Sequence, residues 1–269
     1  MDPGSPVTLS IVTVCWNDLS NVQRTVESLE CQVETTGWEH VLVDGASKDG
    51  TADWYRQAGF KFPHCLLSEP DNGIFDAMNK SLDIVNGDYV VFMNAGDRFA
   101  DNAAVGRILA RLSTKPAWGY GIARIVDIEG NRVRPQVGKI PYSRTMHLLG
   151  AAKICHQAVV MRVDLINRLG RFDLRMGNAA DYHMLVKAAA IEPPATWADI
   201  NVDYLAGGIS AVENHEQLWR RHRARVDALE MKPAAARLDR AWTALQLARV
   251  RATTYIKPVL EPIYLRLLN

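Results

Sequence analysis

Short apolar runs alternate with helix-like segments along the first hundred residues. Leu9 to Trp16 and Glu39 to Asp44 are rich in β-branched residues and lack a polar face, so both are predicted to be strands buried on two sides. Between them, the stretch from Asn21 to Glu30 carries apolar residues at helical spacing. The pattern therefore predicts a β-α-β unit at the start of the chain.

The alternation continues downstream. Further strands are predicted over 65–68 and 89–93, and further helices over 51–57, 73–85, 101–112 and 180–190. A hairpin is predicted from Trp118 to Pro141, turning at Glu129-Gly130-Asn131, and a basic helical region from Gln217 to Pro258 and Pro262. Strands that alternate with helices imply a mainly parallel sheet, in which ligands bind at the carboxyl ends of the strands.

Composition indicates the size of the core and the cellular compartment of the protein. The chain has 269 residues, of which 48% are hydrophobic, enough for a sizeable core. Its four cysteines form no CxxC pair, which favours a reduced, cytosolic setting over a disulfide framework or a zinc site. The chain shows no signal-peptide pattern and no run of about 18 apolar residues, so a cytoplasmic protein is expected.

Charge is unevenly distributed between the two parts of the chain. The net charge is +1, with about +6 in residues 214–269 and about −5 in residues 1–213. The basic tail leaves three alternatives open: contact with the inner face of the plasma membrane, a solvated helix face, or a homodimer contact. Nucleic acid is not expected as a partner, because no recognition module accompanies the small basic excess.

Polar clusters follow each of the predicted strands. They are Asn17-Asp18, Asp44 to Ser47, Ser68 to Asp71 and Asn94 to Asp97. Because the carboxyl ends of parallel strands meet at one edge of a sheet, these four loops are expected to converge. The convergence is a stronger indication of a site than any single cluster.

The stretch VDGASKDGT, residues 43–51, has the glycine spacing of a phosphate-binding loop but lacks its lysine, which excludes a P-loop NTPase. Two interpretations remain. Asp44 accepts hydrogen bonds from a nucleobase or ribose, with Gly45 permitting close backbone approach, or the stretch is a turn in which Ser47 is a local cap.

The stretch SEPDNGIFDAMNKSL, residues 68–82, places Asp76, Asn79 and Lys80 at helical positions i, i+3 and i+4. These three side chains share one helix face, so an acceptor, an amide and a cation can point at one ligand. The alternative is a solvated face capped by Asp71 or Asn72.

Five blocks in this order resemble the family-2 nucleotide-sugar glycosyltransferases with the GT-A fold. They are LSIVTVCWN, VLVDGASKDGT, SEPDNGIFDAMNK, the strand ending in NAGD, and CHQAVVMR followed by ADYHMLVK, which together span roughly residues 7 to 190. The resemblance implies a GT-A-like α/β domain over 1–213, with a Rossmann-type, mainly parallel sheet flanked by helices. Residues 214–269 are then a basic, helical C-terminal extension.

The resemblance also implies which residues bind the donor. Asp44 would contact the base or ribose, with Asn17 and Asp76 completing the pocket, and Lys80 would lie near the phosphates. His156 would contact the diphosphate or acceptor, or else be a partly buried structural histidine. The full predicted donor-binding set is Asn17, Asp44, Gly45, Ser47, Asp76, Asn79, Lys80, Asn94 and His156.

The NAGD stretch lies where the family keeps an Asp-x-Asp metal motif. Asn94 and Gly96 replace the first carboxylates, and Asp97 remains as the predicted metal ligand. A hard cation such as Mg²⁺ or Mn²⁺ takes oxygen ligands and can obtain most of them from the donor diphosphate and water. One carboxylate, with the Asn94 amide oxygen, is therefore expected to suffice.

Asp181, at the start of the predicted helix in ADYHMLVK, matches the position of the family's catalytic base. An inverting transfer needs a carboxylate that takes the proton of the acceptor hydroxyl. The structural alternative is a first-turn acid favoured by the helix dipole.

The predicted enzyme is an inverting hexosyltransferase. It would move a sugar from a UDP-, GDP- or dTDP-sugar to a hydroxyl of a glycan or lipid-linked acceptor, in cell-surface polysaccharide or glycolipid biosynthesis. The alternative is a non-catalytic nucleotide-sugar-binding protein with a degenerate metal motif. A nucleotidyltransferase is disfavoured because TVCWNDLS is not a basic, glycine-rich loop.

Overall fold

The structure is a computed structural model that describes residues 7–207 and 215–267, with side chains described to residue 251. The strands are β1 Leu9–Cys15, β2 Trp38–Asp44, β3 His64–Ser68, β4 Tyr89–Phe92, β5 Arg98–Phe99, β6 Trp118–Val126, β7 Arg132–Val137, β8 Val159–Arg162 and β9 Ala195–Leu205. The helices are α1 Leu19–Glu30, α2 Thr51–Gln57, α3 Ile74–Ser81, α4 Ala104–Leu112, α5 Arg144–Leu148, α6 Val163–Arg168, α7 Ala180–Ile191, α8 His215–Ala228 and α9 Pro233–Leu267. Two short 3₁₀ segments cover His156–Ala158 and Leu174–Ala179.

Four neighbouring strands form the parallel half of the sheet, in the order β3-β2-β1-β4. β1 and β2 are buried along almost their whole length, as their unbroken apolar runs predict. The register places Cys15 opposite Asp44, and Asp44 opposite Ser68. The carboxyl ends of β1, β2 and β3 therefore lie side by side, which confirms the predicted convergence of their loops.

The other half of the sheet is mixed. β8 runs antiparallel to both β4 and β6, β6 runs parallel to β9, and β5 pairs antiparallel with β9. The predicted hairpin is confirmed as β6 and β7. The α/β class is thus confirmed, and the parallel pairing of the predicted, mainly parallel sheet is found in the first four strands and between β6 and β9.

Helices cover both faces of this sheet and bury two apolar clusters. On one face α1 and α4 contribute Val22, Leu29 and Ile108. On the other, α3 and α7 contribute Met78 and Met184. Because both faces are covered, the polar loops at the strand ends are the part of the parallel half that is left open to ligands.

The C-terminal helices pack against the sheet domain through α7. His183 Nε2 on α7 lies 2.7 Å from Asp227 Oδ2 on α8, and Arg225 on α8 forms a two-point ion pair with Asp239 on α9. The predicted domain boundary between 213 and 214 falls outside the described residues and stays a prediction. α9 continues past Pro258 and Pro262, where an end was expected; although proline cannot donate the helical hydrogen bond, the backbone stays helical through both positions.

Within the described part of the chain, no helix has both the length and the apolar character needed to span a bilayer.

Candidate active site

The loops after β1 and β2 are tied to each other by hydrogen bonds. Ser47 Oγ accepts from the Asn17 N–H at 2.7 Å, and Asn17 Oδ1 accepts from the Lys48 N–H at 2.8 Å. Asn17 adopts a left-handed backbone, φ 49°, a conformation that asparagine tolerates better than most residues. These contacts hold the exposed Asn17 at the rim of the converging loops.

Asp44 is fully buried beneath this rim. Its carboxylate accepts from the Ser47 N–H at 3.1 Å and from the Ser68 hydroxyl at 2.6 Å, so it joins the loops after β2 and β3. In this conformation the side chain orders the loops from below and presents no exposed oxygen. Direct contact between Asp44 and a donor nucleotide stays a prediction.

Gly45 lies where the backbone and two side chains come close together. A Cβ atom at this position would lie 2.6 Å from Asp71 Oδ2 and 3.3 Å from Trp16 Cδ1, so a larger residue would displace them. Trp16 itself is 69% exposed at the end of β1. Sequence reasoning assigned Trp16 to a strand and missed it as a site residue, although a large aromatic side chain at a strand's carboxyl end is a usable signal.

The three residues predicted on α3 have separate partners. Asp76 Oδ2 accepts from both the N–H and the side-chain amide of Asn72, which fixes the turn before the helix. Lys80 Nζ lies 2.6 Å from Glu69 Oε1 and donates to the Pro70 carbonyl. Both residues therefore shape the loop after β3, and their contact with a donor stays a prediction.

Asn79 differs from its two neighbours on α3. Its amide donates to the Phe172 carbonyl and accepts from the Phe172 N–H, each at 2.9 Å. Both ends of the amide are thus committed to the segment before α7. This geometry gives Asn79 a structural role, and neither end points to a donor ligand in this conformation.

Asp97 is buried at the end of the β4 loop and is 3% exposed. Its Oδ1 accepts from the Leu205 N–H at 2.8 Å and its Oδ2 from Gln157 Nε2 at 2.9 Å. Burial raises the pKa of Asp97 to about 6, although both hydrogen bonds and nearby His156 act to lower it. A carboxylate whose charged form is costly to bury is a good candidate for a bound cation.

The surroundings of Asp97 match a hard cation in ligand chemistry. Asn94 Oδ1 is buried and has no hydrogen-bond partner in the described structure, so an acceptor oxygen is left unsatisfied close in sequence to Asp97. Among the described residues there is no cluster of three or more His, Cys, Asp or Glu side chains with metal-binding geometry. A cation here would therefore rely on oxygens from a ligand and water.

Asp181 lies in the first turn of α7 and is linked to His156. Its Oδ2 is 3.3 Å from His156 Nδ1, and its Oδ1 accepts from the Tyr182 N–H at 2.7 Å. Burial raises the pKa of Asp181, but the His156 hydrogen bond and charge, the Tyr182 N–H and Arg221 together hold it below its usual range. Asp181 is therefore an ionised acceptor at neutral pH.

His156 connects the regions around Asp97 and Asp181. Its Nδ1 faces Asp181, and its buried Nε2 has no partner in the described structure. The adjacent Gln157 binds Asp97, so the two carboxylates are held by consecutive residues of one 3₁₀ turn. Tyr204 is affected by the same carboxylates. Its pKa is raised to about 12, mainly by burial and further by the nearby Asp97, Cys155 and Asp181.

The structure therefore divides the predicted residues into groups. Asn17, Gly45 and Ser47 lie together at the loop edge with Asp44 beneath them, and Asn94, Asp97, His156 and Asp181 form a second group. Gln157 and the Leu205 N–H were missed. Gln157 could have been found because it follows the predicted His156 directly in the sequence. The Leu205 N–H could not, because a backbone donor does not depend on the residue type.

Sequence comparisons identify relatives of this chain. Residues 10–168 match the family model described as glycosyl transferase family 2. An uncharacterized glycosyltransferase of Mycobacterium tuberculosis is 33% identical over 213 residues, which cover 77% of this chain and 78% of that protein. A PGL/p-HBAD biosynthesis glycosyltransferase of Mycobacterium bovis is 28% identical over 156 residues, covering 56% of this chain and 57% of that protein.

Solved structures share the fold. S. aureus TarS 1–349 in complex with UDP superposes with a TM-score of 0.65 at 15% identity, covering 92% of this chain and 75% of that one. The mannosyltransferase PcManGT of Pyrobaculum calidifontis, in complex with GDP-Man and Mn²⁺, gives a TM-score of 0.58 at 17% identity, covering 98% of this chain and 81% of that one. With a GT-A-like fold and a family model matched over more than half its length, this chain belongs to glycosyl transferase family 2 and is a glycosyltransferase.

Proposed function

We propose that this glycosyltransferase moves a sugar from a nucleoside-diphospho-sugar to a hydroxyl of a glycan or glycolipid acceptor, with inversion at the anomeric carbon. The observation that carries the proposal is the ionised carboxylate of Asp181, held by His156 and by the Tyr182 N–H. An ionised carboxylate with one well-fixed orientation is what proton removal from an attacking hydroxyl requires.

The loop edge after β1 and β2 supplies the donor site in this proposal. The exposed Trp16 offers a ring face on which a nucleobase can stack, and Asn17 lies next to it. Asp44 and Ser47 keep this rim in place through their hydrogen bonds. TarS with UDP and PcManGT with GDP-Man, which share the fold, support a nucleotide-sugar donor.

Asp97 and Asn94 would hold a divalent cation, Mg²⁺ or Mn²⁺. The raised pKa of Asp97 and the unsatisfied Asn94 Oδ1 support this assignment, and PcManGT contains Mn²⁺ in its complex. When bound, the cation would neutralise charge on the departing nucleoside diphosphate. Gln157 and the Leu205 N–H keep the Asp97 carboxylate in one orientation.

Asp181 acts on the acceptor side of the reaction. Its Oδ2 takes the proton of the acceptor hydroxyl as that oxygen attacks the anomeric carbon. His156 and the Tyr182 N–H orient the carboxylate, and the N-terminus of α7 favours its negative form. The unpaired His156 Nε2 can in turn contact an oxygen of the diphosphate.

A thermal-shift panel tests the donor and cation assignments together. UDP-, GDP- and dTDP-sugars are each added with and without Mn²⁺, and the nucleotide that binds is expected to raise Tm more when the cation is present. Asp97→Asn should lose the cation-dependent part of that rise, because the neutral amide cannot balance the cation's charge. Asp53→Asn on exposed α2 is the control and should keep it.

Turnover of the stabilising donor then separates an enzyme from a binding protein. Sugar transfer, or slow hydrolysis of the donor, in Mn²⁺ or Mg²⁺ supports the proposal. A donor that binds but never turns over in either cation would instead favour the non-catalytic alternative. An undiminished cation effect in Asp97→Asn would remove Asp97 from the metal site.

A further inference from the structure

A solvent-open pocket borders Asp181 on the side of the C-terminal helices. Its wall carries three basic side chains, Lys153, Arg220 and Arg221, together with Asp181 and Tyr182. None of the residues predicted to bind the donor lines this pocket. The pocket is therefore a separate approach to Asp181 from the loop edge of β1 to β3.

The basic wall follows from the spacing of α8. Gln217, Arg220 and Arg221 stand at i, i+3 and i+4, so one helix face presents them all to the pocket. One turn further on, Ala224 and Arg225 continue this face into the protein and are buried. Arg223 points away from the pocket and is exposed.

Two glycines make room for guanidinium groups beside the pocket. A Cβ atom on Gly177 would lie 3.0 Å from Arg220 Nη1, and one on Gly150 would lie 2.6 Å from Arg225 Nη1. Both glycines have positive φ, 52° and 69°, where a side chain is strained. The backbone thus lets Arg220 lie against the segment that leads into α7.

Arg220 and Arg221 line the pocket while keeping contacts within the protein. Arg220 pairs with Glu216, whose side chain is 68% exposed, so water and salt screen that pair. Arg221 lies over the Tyr182 ring, 5.7 Å from its centroid, and contributes to lowering the Asp181 pKa. Among the described residues that line the pocket, Asp181 is the single carboxylate.

We propose that this pocket binds a phosphate ester carried by the acceptor, held by Arg220, Arg221 and Lys153 while the acceptor hydroxyl reaches Asp181. This inference rests on the proposed function and names its acceptor class: a phosphorylated glycan or polyol, or a lipid with a phosphate headgroup. Arginine matches phosphate through paired, charge-assisted hydrogen bonds, and a cation beside the base also keeps Asp181 ionised.

The test uses binding alone, with sn-glycerol 3-phosphate as probe and glycerol as its uncharged match. Isothermal titration or NMR on the full chain is expected to show saturable binding of the phosphate ester and none of glycerol. Arg220→Gln and Arg221→Gln should each weaken binding about 10- to 100-fold, the usual effect of losing a charged hydrogen bond. Arg223→Gln, on the same helix but outside the pocket, should leave binding unchanged.

Two further arms distinguish the source of the phosphate and guard against misfolding. Vesicles of phosphatidylglycerol, compared with phosphatidylcholine, test a lipid headgroup; binding lost in Arg221→Gln and kept in Arg223→Gln assigns it to the pocket. Arg221→Lys keeps the positive charge, so it should retain part of the affinity. The urea midpoint of each variant shows whether it is folded.

Several results would overturn the proposal. They are absence of phosphate-ester binding, equal loss in Arg221→Gln and Arg223→Gln, or a loss of nucleotide affinity in the Arg220 and Arg221 variants, which would assign these cations to the donor diphosphate. Nucleotide-dependent thermal shifts are measured on the same samples. If those are absent while the phosphate ester still binds, the donor assignment fails and the anion pocket stands.

Discussion

The proposed donor side and the proposed acceptor side of this enzyme are stabilised in different ways. At the donor side, loops after parallel strands are joined by short hydrogen bonds such as Asn17 to Ser47 and Ser68 to Asp44. At the acceptor side, three helices are joined by polar side-chain contacts: His183 Nε2 with Asp227 Oδ2, and the ion pair of Arg225 with Asp239. The first arrangement is local to one sheet edge, whereas the second joins α7 to helices that follow it in the chain.

This difference indicates how the two half-sites depend on the rest of the chain. The donor rim needs the sheet and little else, so it should survive changes in the C-terminal helices. The orientation of α7, and with it Asp181, depends on α8 and α9, because Arg225 also contacts Tyr182 Oη, at 3.5 Å. In the proposed function, the C-terminal helices thus support the site through α7. The following predictions test that division.

Asp181→Asn should have the largest effect on activity. The amide cannot accept the proton from the acceptor hydroxyl, so kcat should fall about 10²- to 10⁴-fold, the usual contribution of a general base. Donor affinity, measured by nucleotide titration, should be unchanged because the donor rim lies elsewhere. Asp164→Asn on α6, half exposed and outside the site, is the control; near-normal turnover by Asp181→Asn would exclude it as the base.

Arg225→Met should have the largest effect on stability. Arg225 is 1% exposed, and its removal breaks a two-point ion pair and leaves the buried Asp239 carboxylate with His222, whose Nδ1 lies 2.6 Å away. The unfolding free energy should fall by about 3 kcal/mol, the lower end of the range for breaking a buried ion pair. Hydrogen exchange should quicken in α7 and α8 but not in β1 and β2. The nucleotide-dependent thermal shift should persist.

Two companion variants sharpen that result. Arg223→Met changes the same residue type on the exposed face of α8 and should be nearly neutral. The double variant Arg225→Met with Asp239→Leu removes both buried charges and should recover much of the lost stability. If hydrogen exchange quickens equally in α7 and in β1 and β2, the stability of the donor side depends on the C-terminal helices, and the proposed division is wrong.

The sequence predicts the donor half well for a physical reason. Strands buried on both faces leave unbroken apolar runs, and the parallel connection then dictates that their loops converge, as at Asp44 and Ser68. β9 is different. Its residues 199–204 alternate polar and apolar side chains, a period-two pattern typical of a half-buried strand that the prediction did not use. Its pairing with β6, which is distant in sequence, left no local signal.

The contacts of the acceptor half could not be predicted, because they join residues that no sequence pattern distinguishes from ordinary surface residues. Arg225 stands in a run of arginines that a pattern assigns to solvent, yet it is buried because Asp239, 14 residues later, pairs with it. Likewise, Asp97 was identified by resemblance, but its anchoring by the Leu205 N–H depends on the β9 strand. Asp181 was predicted from the family resemblance. Its surroundings are set by His156, by the Tyr182 N–H on α7 and by Arg221 on α8, none of which is linked to it by a recognisable sequence pattern.

The smallest predicted effect concerns the pH dependence of stability at Asp97, which lies where the two halves meet. Its pKa is raised to about 6, so the folded state binds the proton more tightly than the unfolded state, and stability decreases as pH rises from about 4 to 6. Asp97→Asn has no such charge to bury. In urea unfolding without nucleotide, the unfolding free energy of the variant minus that of wild type should therefore increase by about 1–3 kcal/mol between pH 4.5 and 7.5. Asp101→Asn should show no such gain between pH 4.5 and 7.5 and should differ from wild type in its pH dependence only below about pH 4, because the hydrogen bond to Arg107 lowers the Asp101 pKa. A pH-independent difference for Asp97→Asn would contradict the burial argument.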